Sequence, residues 1–458
     1  MKYINQISVH SKNLFILVLA LTIGYYNSNA QESPQKVDLK AVLESALANN
    51  LQIKQAQFQE AVTDENFKQS RYQLLPNLNG SVSANKQYGL FFDQTAGTLI
   101  NGSTDAANAS LSSNLLVFNG FRLQNQIKQN KNLLMADKSN VEKVKNDLTL
   151  TVINTYLQAL TNRDLITASQ QQVDLSKAQL NVEQRNFDVG NKTLADLSQA
   201  KAQLATNELN LTNAQNAYDL SILDLKQLME INPETQIELV VPTLPELSSV
   251  TKNYTGKEVF DQAINNYPDI KLAKYNSEAF KYGVKAAKGG LYPSLGVGGQ
   301  LFNSYSSNAV DFTTRRRLGF SDQIDRNFLQ VIGLNLQIPI FDNYRNRSSL
   351  NIAKIRYQDA LVTEQLAKNN LNKIINQAVL DLRSAEKRYV STQSSLTSSQ
   401  DAFEVIKKRY DVGLANAIEL NTSQTNYNKA QFDFIQAKYD LLFRAKVIDF
   451  YLGNPINL

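Results

Sequence analysis

Two very long stretches of this chain contain a single glycine each and no proline. From Phe121 to Ile231 the one glycine is Gly190, and from Tyr344 to Leu452 it is Gly413. Glycine and proline cost a helix interior roughly 1 and 3 kcal/mol relative to alanine. Their absence permits unbroken helix, and the lone glycine marks a turn. Each stretch therefore reads as a helical hairpin, over 119–231 and 342–452. A helix from about residue 120 to 187 would be roughly 100 Å long at 1.5 Å per residue, too long for a compact domain.

The apolar spacing says what these helices pack against. Ile166, Val173, Leu180 and Phe187 recur every seven residues, as do Leu197, Leu204, Leu211, Tyr218 and Leu225 after the glycine. The second stretch repeats the plan with Leu382, Tyr389, Leu396, Phe403 and Tyr410, then Leu420, Tyr427, Phe434, Leu441 and Ile448. A sustained seven-residue repeat is a coiled-coil seam and implies a left-handed supercoil. The other faces, rich in Gln, Asn, Ser, Thr and Ala, suit wet contacts or a polar lumen.

The chain is a duplication with a period of about 220 residues. Leu75-Pro76-Asn77-Leu78 matches Tyr292-Pro293-Ser294-Leu295, and Val117-Phe118-Asn119-Gly120-Phe121-Arg122 matches Ile340-Phe341-Asp342-Asn343-Tyr344-Arg345. Phe187-Asp188-Val189-Gly190 matches Tyr410-Asp411-Val412-Gly413, and Ala46 to Asn50 matches Ala263 to Tyr267. Matches in one order point to two copies of a single plan. The copies are expected over 31–231 and 255–458, joined by a linker over 232–254 that carries Pro233, Pro242 and Pro245.

Each copy opens with a helix and continues into strands, over 77–118 and 294–341. Ile332, Leu334, Leu336, Ile338 and Ile340 alternate with Gly333, Asn335, Gln337 and Pro339. Ala109, Leu111, Leu115 and Val117 alternate less cleanly with their neighbours. A two-residue period suits a membrane barrel wall and equally a soluble sheet with one wet face. Turn-like segments, Gly97 to Asp105 and Thr313 to Asp325, divide each region into two strands. Four strands cannot close a barrel alone, since the smallest bacterial barrels use about eight. A membrane barrel would be shared, with two chains giving eight strands or three giving twelve.

The N-terminus reads as a secretory signal over residues 1–30. Lys2 and Lys12 precede the apolar run Leu14 to Ile23, and Ser28-Asn29-Ala30 is a small-residue cleavage site. That run is short for a membrane-spanning helix, and no later segment approaches the length one needs. Of the 47 basic residues two lie in the signal, so 45 stand against 42 acidic ones in the rest of the chain. This near balance gives no support for nucleic-acid binding. There is no cysteine, and the single histidine, His10, lies in the signal. Disulfides, thiolate chemistry and the commonest general base and metal ligand are thus removed from the rest of the chain. No phosphate-cradling glycine loop occurs. The expectation is no catalytic residue, no cofactor and no metal.

The order of signal, duplicated strand pairs and heptad hairpins resembles the TolC-like outer-membrane efflux family. The matching phrases are Tyr410-Asp411-Val412-Gly413-Leu414 with its partner Phe187-Asp188-Val189-Gly190, Leu75-Pro76-Asn77-Leu78 and Ile338-Pro339-Ile340-Phe341-Asp342. The resemblance implies a homotrimer whose twelve strands form one outer-membrane barrel in contact with lipid, continuous with a periplasmic α-barrel tunnel. It implies that the Val-Gly turns lie at the periplasmic tip and meet an adaptor (membrane fusion) protein, which links the tunnel to an inner-membrane pump. Val189, Gly190, Val412, Gly413 and Leu414 take that role by position. It places Tyr410 and Asp196 on a gate tyrosine and its carboxylate partner. Ala415 stands where the family has a gate arginine. Of two acidic positions ringing the constriction the first is Glu419, but the second is Thr422, which implies weaker cation selectivity.

Other readings are open at this stage. Val-Gly can simply be a tight turn, and Glu419 a solvated helix residue. Arg315-Arg316-Arg317, in the loop between the third and fourth strands, reads first as a solvated charge run and second as a contact for lipopolysaccharide phosphates. A secreted or surface coiled-coil scaffold or adhesin is the alternative to a conduit. A carboxylate glycosidase would need two flanking acids, and the acids here are scattered.

Overall fold

The computed structural model describes residues 35–93, 97–241, 254–311, 313–314 and 316–454. The signal over 1–30, Pro242, Pro245 and Arg315 lie outside the described residues. Each half is led by two helices, not one. In the first half α1 (Leu39–Asn49) gives way to α2 (Leu51–Tyr72) at Asn50, whose side chain accepts a hydrogen bond from the Gln52 amide. In the second half α5 (Gly256–Ala263) precedes α6 (Pro268–Gly289). Pro268 starts α6 at a position where its missing N–H costs nothing.

The strands follow: β2 (Asn79–Asp93) and β3 (Thr98–Phe118) in the first half, β5 (Ser294–Ser306) and β6 (Leu329–Gln337) in the second. They form one antiparallel sheet in the order β2-β3-β5-β6. The sequence turn at Gly97 to Asp105 is corrected: Thr98 to Asp105 belongs to β3, paired residue by residue with Lys86 to Asp93. Ile338 to Phe341 lies past the end of β6. The imperfect alternation near Val117 also has a cause, a register shift between Leu116 and Phe118 that inserts an extra residue. The linker is not structureless either. It holds β4 (Ile237–Leu239), which pairs in parallel with β1 (Gln35–Val37). The buried Tyr156 hydroxyl donates to the Val240 carbonyl at 2.7 Å and fastens this ribbon to the helices.

The hairpins are α3 (Arg122–Asp188) with α4 (Leu194–Met229), and α8 (Arg345–Asp411) with α9 (Ala417–Leu452). The two long arms have 67 residues each and the two short arms 36 each, so both hairpins span about 100 Å. The leading helices α2 and α6, 22 residues apiece, pack along the long arms, with α6 lying between α3 and α8. No heptad position named above is exposed, and Val173, Leu225, Leu382, Leu441 and Ile448 are fully buried. Phe403 stacks on Tyr427 and Tyr389 meets Phe434 across the second hairpin seam.

Sheet and hairpin meet at a left-handed backbone turn repeated in both halves. Phe121 and Tyr344 have φ of 61° and 60°, uncommon for large residues. Each is held edge-on against a second ring, Phe118 at 5.4 Å and Phe341 at 5.7 Å. Before Phe121 stands Gly120, at φ +65°. A Cβ there would fall 2.4 Å from the Gly289 carbonyl oxygen, so α6 can approach only because both residues are glycines.

Register sorts the sheet into two unlike faces. Leu115, Val297 and Leu334 lie in one cross-strand row, with Leu295, Leu336, Ile332 and Leu111 on the same face. Asn114, Gly298 and Gly333 form the neighbouring row on the other face, with Ser110, Ser112, Gln300, Asn335 and Gln337. Ile332, Leu334 and Val82 are 88%, 76% and 83% exposed, so nothing among the described residues covers the apolar face. The polar face lines a cavity of about 980 Å³ with Gln69 and Gln73 from the end of α2.

The sheet is open, with β2 and β6 as its edges. Above the start of β6, the edge of β5 is covered by α7 (Phe320–Arg326), in the segment read from sequence as a turn. The Gln323 side chain, fully buried, accepts from the Ser306 amide at 2.9 Å and donates to the Ser306 carbonyl at 3.0 Å. One side-chain amide thus supplies the pairing that a longer β6 would have given. No helix among the described residues is long and apolar enough to cross a membrane.

Candidate functional site

Far from the sheet, the hairpins end in two turns of one design. Gly190 and Gly413 adopt φ of +78° and +76°. The Gly190 amide donates to the Phe187 carbonyl at 2.9 Å and the Asn191 amide to the Asn186 carbonyl at 2.8 Å. In the second turn the Gly413 amide reaches Tyr410 at 3.0 Å and the Leu414 amide reaches Arg409 at 2.7 Å. This paired bonding is the Schellman arrangement, which requires a left-handed residue after the helix cap and so favours glycine. The turns leave apolar side chains in the open: Val189, Val412 and Leu414 are each 69% exposed, and Leu194 and Ile418 stand beside them.

The short arms start with reciprocal caps. The Thr193 hydroxyl accepts from the Asp196 amide, and the Asp196 carboxylate accepts from the Thr193 amide and hydroxyl. These bonds hold the Asp196 carboxyl below its ordinary pKa. In the second hairpin the Glu419 amide donates to Asn416 at 2.8 Å, and the Asn416 amide group donates to the exposed Glu419 carboxylate at 3.0 Å.

The structure does not join Tyr410 to Asp196 within the chain, because Asp196 is engaged by its own cap. The Tyr410 hydroxyl donates instead to Glu183 at 2.5 Å and accepts from Lys192 at 3.0 Å. The Lys192 ammonium also lies 4.4 Å from the Tyr410 ring centroid. Burial and the Glu183 carboxylate push the Tyr410 phenol well above its ordinary pKa, so it stays protonated and donating. Around it Phe403 and Leu420 are buried against Leu175 of α3. The contact therefore fastens the first hairpin to the second, at the tip.

Glu183 and Lys192 were not singled out from the sequence. Glu183 is 2% exposed, and its second carboxylate oxygen has no partner among the described residues. Its signal was a second heptad stripe: Asn162, Ser169, Ser176 and Glu183 recur every seven residues and end on Gly190. All four are buried, and Ser176 accepts from Asn207 of α4 at 2.6 Å. Small polar residues at seam spacing read as solvated faces when only apolar residues are counted. Among the described residues no three of His, Cys, Asp and Glu converge to hold a metal ion. Arg316 and Arg317 are exposed in the loop before α7.

A sheet apolar on one face and polar on the other, open at both edges and mounted on hairpins about 100 Å long, is the wall segment of a channel built from several chains. The chain belongs to the outer membrane efflux protein family, whose description fits residues 42–229 and 259–454, one match for each half. It is 21% identical to the outer membrane efflux protein BepC of Brucella suis over 88% of this chain and 82% of that protein. It is 19% identical to the outer membrane protein TolC of Escherichia coli over 97% and 87%. The fold matches the outer membrane protein VceC of Vibrio cholerae with a TM-score of 0.75, at 19% identity over 90% of this chain and 94% of that one. It matches the Campylobacter jejuni CmeC outer membrane channel at 0.77, with 21% identity over 91% and 85%. The protein is an outer-membrane channel subunit that extends into the periplasm, and the scaffold or adhesin alternative is set aside.

Proposed function

We propose that three copies of this chain close one twelve-stranded barrel and one helical tunnel, forming a passive conduit from periplasm to exterior. The observation that carries this is the two-faced sheet with free edges. In lipid each unpaired edge group costs several kcal/mol, so β2 and β6 must find strands in other copies. The apolar face then meets lipid, and the polar face lines the pore. The pore performs no chemistry, and a partner pump supplies the energy. Relatives include the toxin and drug export protein A of Aggregatibacter actinomycetemcomitans and the proteases secretion protein PrtF of Dickeya chrysanthemi. Efflux and type I secretion are both within the scope of such a conduit.

The tip is the docking and gating end in this reading. Val189, Gly190, Val412, Gly413 and Leu414 offer the exposed apolar knobs that a periplasmic adaptor hairpin would cover. The gate rests on Tyr410 with Glu183 and Lys192, and Asp196 and Glu419 fix the starts of the short arms. Burying Glu183 with one unpaired oxygen opposes closure, because a buried acceptor without a partner costs about 1–3 kcal/mol. Closure is then a balance between apolar packing and carboxylate hydration, which is what a gate needs. Glu419 contributes one carboxylate per chain to the constriction, and Glu419→Gln is expected to lower cation preference in reversal-potential measurements.

The direct test of the conduit is a planar bilayer. Purified protein should insert in unit conductance steps. A folded protein that binds bilayers and never conducts would contradict the reading.

A further inference from the structure

The two free edges of the sheet are unequal in length. β2 has 15 residues and β6 has nine. In a ring of copies β6 of one chain borders β2 of the next, so six residues of β2 have no strand to face. Above β6 in its own chain stands the α7 segment, fixed to the β5 edge by Gln323, by Asn327 donating to the Ser304 carbonyl at 2.7 Å, and by Phe320 against Tyr305 at 5.4 Å.

Among the described residues two apolar surfaces are left uncovered at this level. On the long part of β2, Tyr88, Leu90 and Phe92 share one face and are 77%, 70% and 59% exposed. On and beside α7, Phe320, Ile324 and Phe328 are 64%, 37% and 50% exposed. Leaving large apolar side chains in water instead of burying them is unfavourable.

The register indicates what covers them. On the same face of β3, Asn101 and Ser103 stand opposite Leu90 and Tyr88, and the exposed Leu99 stands opposite Phe92. The apolar row is thus heavier on the edge strand, with three residues on β2 against one on β3, whereas a lipid layer would meet both strands alike. The Lys86–Asp105 ion pair, 3.6 Å apart, lies across the same face between this row and Val82. A lysine near the bilayer midplane is strongly disfavoured on the lipid face of a barrel, so the pair marks the rim of the lipid zone. In the ring of copies proposed above, the edge strand continuing upward from the β6 seam would border the α7 segment of the next copy.

We propose that Tyr88, Leu90 and Phe92 of one chain pack against Phe320, Ile324 and Phe328 of the neighbouring chain. The contact forms an apolar collar outside the membrane that seals each subunit seam where β2 outruns β6. This rests on the shared barrel proposed above, and the two can fail separately.

The chain has no cysteine, so introduced thiols are the only ones present. The double variant Leu90→Cys with Ile324→Cys, treated with a short bismaleimide, should give covalent dimers and trimers on denaturing gels. Each single variant should stay monomeric there. A double variant that still has the mass of three chains in detergent, yet does not cross-link, overturns the collar and leaves the shared barrel standing. A mass of one chain overturns the barrel, and the collar with it. Phe320→Trp supplies a second readout that needs no cross-link. Its emission should be insensitive to brominated acyl chains, and strong quenching would assign α7 to lipid and overturn the collar.

Discussion

The two halves of the chain agree where the tunnel is made and differ where it ends. Their long arms, short arms and second leading helices have equal lengths: 67, 36 and 22 residues in both. Hairpins that stand side by side around one tunnel must reach the same level, so length is fixed along the shaft. The strands have no such constraint beyond the membrane. The first half extends its hairpin to 15 and 21 residues, and the second stops at 13 and nine and adds α7. The tips also diverge. Glu183, Lys192 and Tyr410 make the polar contact, and their counterparts in the other half are Ile406, Ala415 and Phe187. The polar inter-hairpin contact thus has apolar residues at its repeat-related positions, and Ile406 and Ala415 pack within the chain beside Tyr410. A shared shaft with unequal tips is what duplication followed by specialisation would leave.

The largest test of this contrast lies in the sheet. Leu334→Arg and Val82→Arg place a charge on the apolar face in the second and first halves, and each should cost about 2–4 kcal/mol in unfolding from lipid. Asn335→Arg, on the pore face, should cost little and alter conductance instead. Equal effects of Leu334→Arg and Asn335→Arg would erase the distinction between the faces.

Next comes the tip. Tyr410→Phe makes the second turn resemble the first and removes the donor to buried Glu183, a bond to a charged group worth about 1.5–3 kcal/mol. Closed-state conductance and opening frequency should rise, while Phe187→Leu, at the repeat-related position, should leave the polar contact intact. An unchanged opening frequency in Tyr410→Phe would detach this contact from gating.

How much of this was legible in the sequence follows from which signals are local. The hairpins were readable because glycine, proline and heptad spacing act within about two turns of helix, and Gly190 and Gly413 sit where a left-handed cap needs them. The β2–β3 turn was misplaced because Gly102, Ser103 and Thr104 look like turn residues, yet their pairing partners Gly89, Tyr88 and Gln87 hold them in strand. Tyr410 and Asp196 are both singled out by resemblance to the family, aligned on the Val-Gly turns. The partner of Tyr410 was not found, since a buried glutamate on a polar stripe reveals itself only when two hairpins meet. Likewise Gln323 gave no sign in the sequence that its amide would replace a strand.

The smaller predictions concern the caps. Gly413→Ala and Gly190→Ala both have open space around the new Cβ, so only the left-handed backbone opposes them, at about 1–2 kcal/mol each. Thermal unfolding of the two variants should fall by similar amounts. Asp196 has a folded-state pKa below its ordinary 3.8. Its contribution is therefore complete above that pH and is lost as pH falls through the depressed folded value. Asp196→Asn should flatten the acid limb of stability against pH without affecting the neutral region's slope, and an unchanged acid limb would remove the Thr193–Asp196 cap as its source.

The central claim is that four strands per chain close a barrel only in company, and the molar mass of the protein in mild detergent tests it most directly. Light scattering corrected for bound detergent should return three times the mass of one processed chain. A stable, folded monomer would contradict the account, because a four-stranded sheet with two open edges cannot line a pore through lipid.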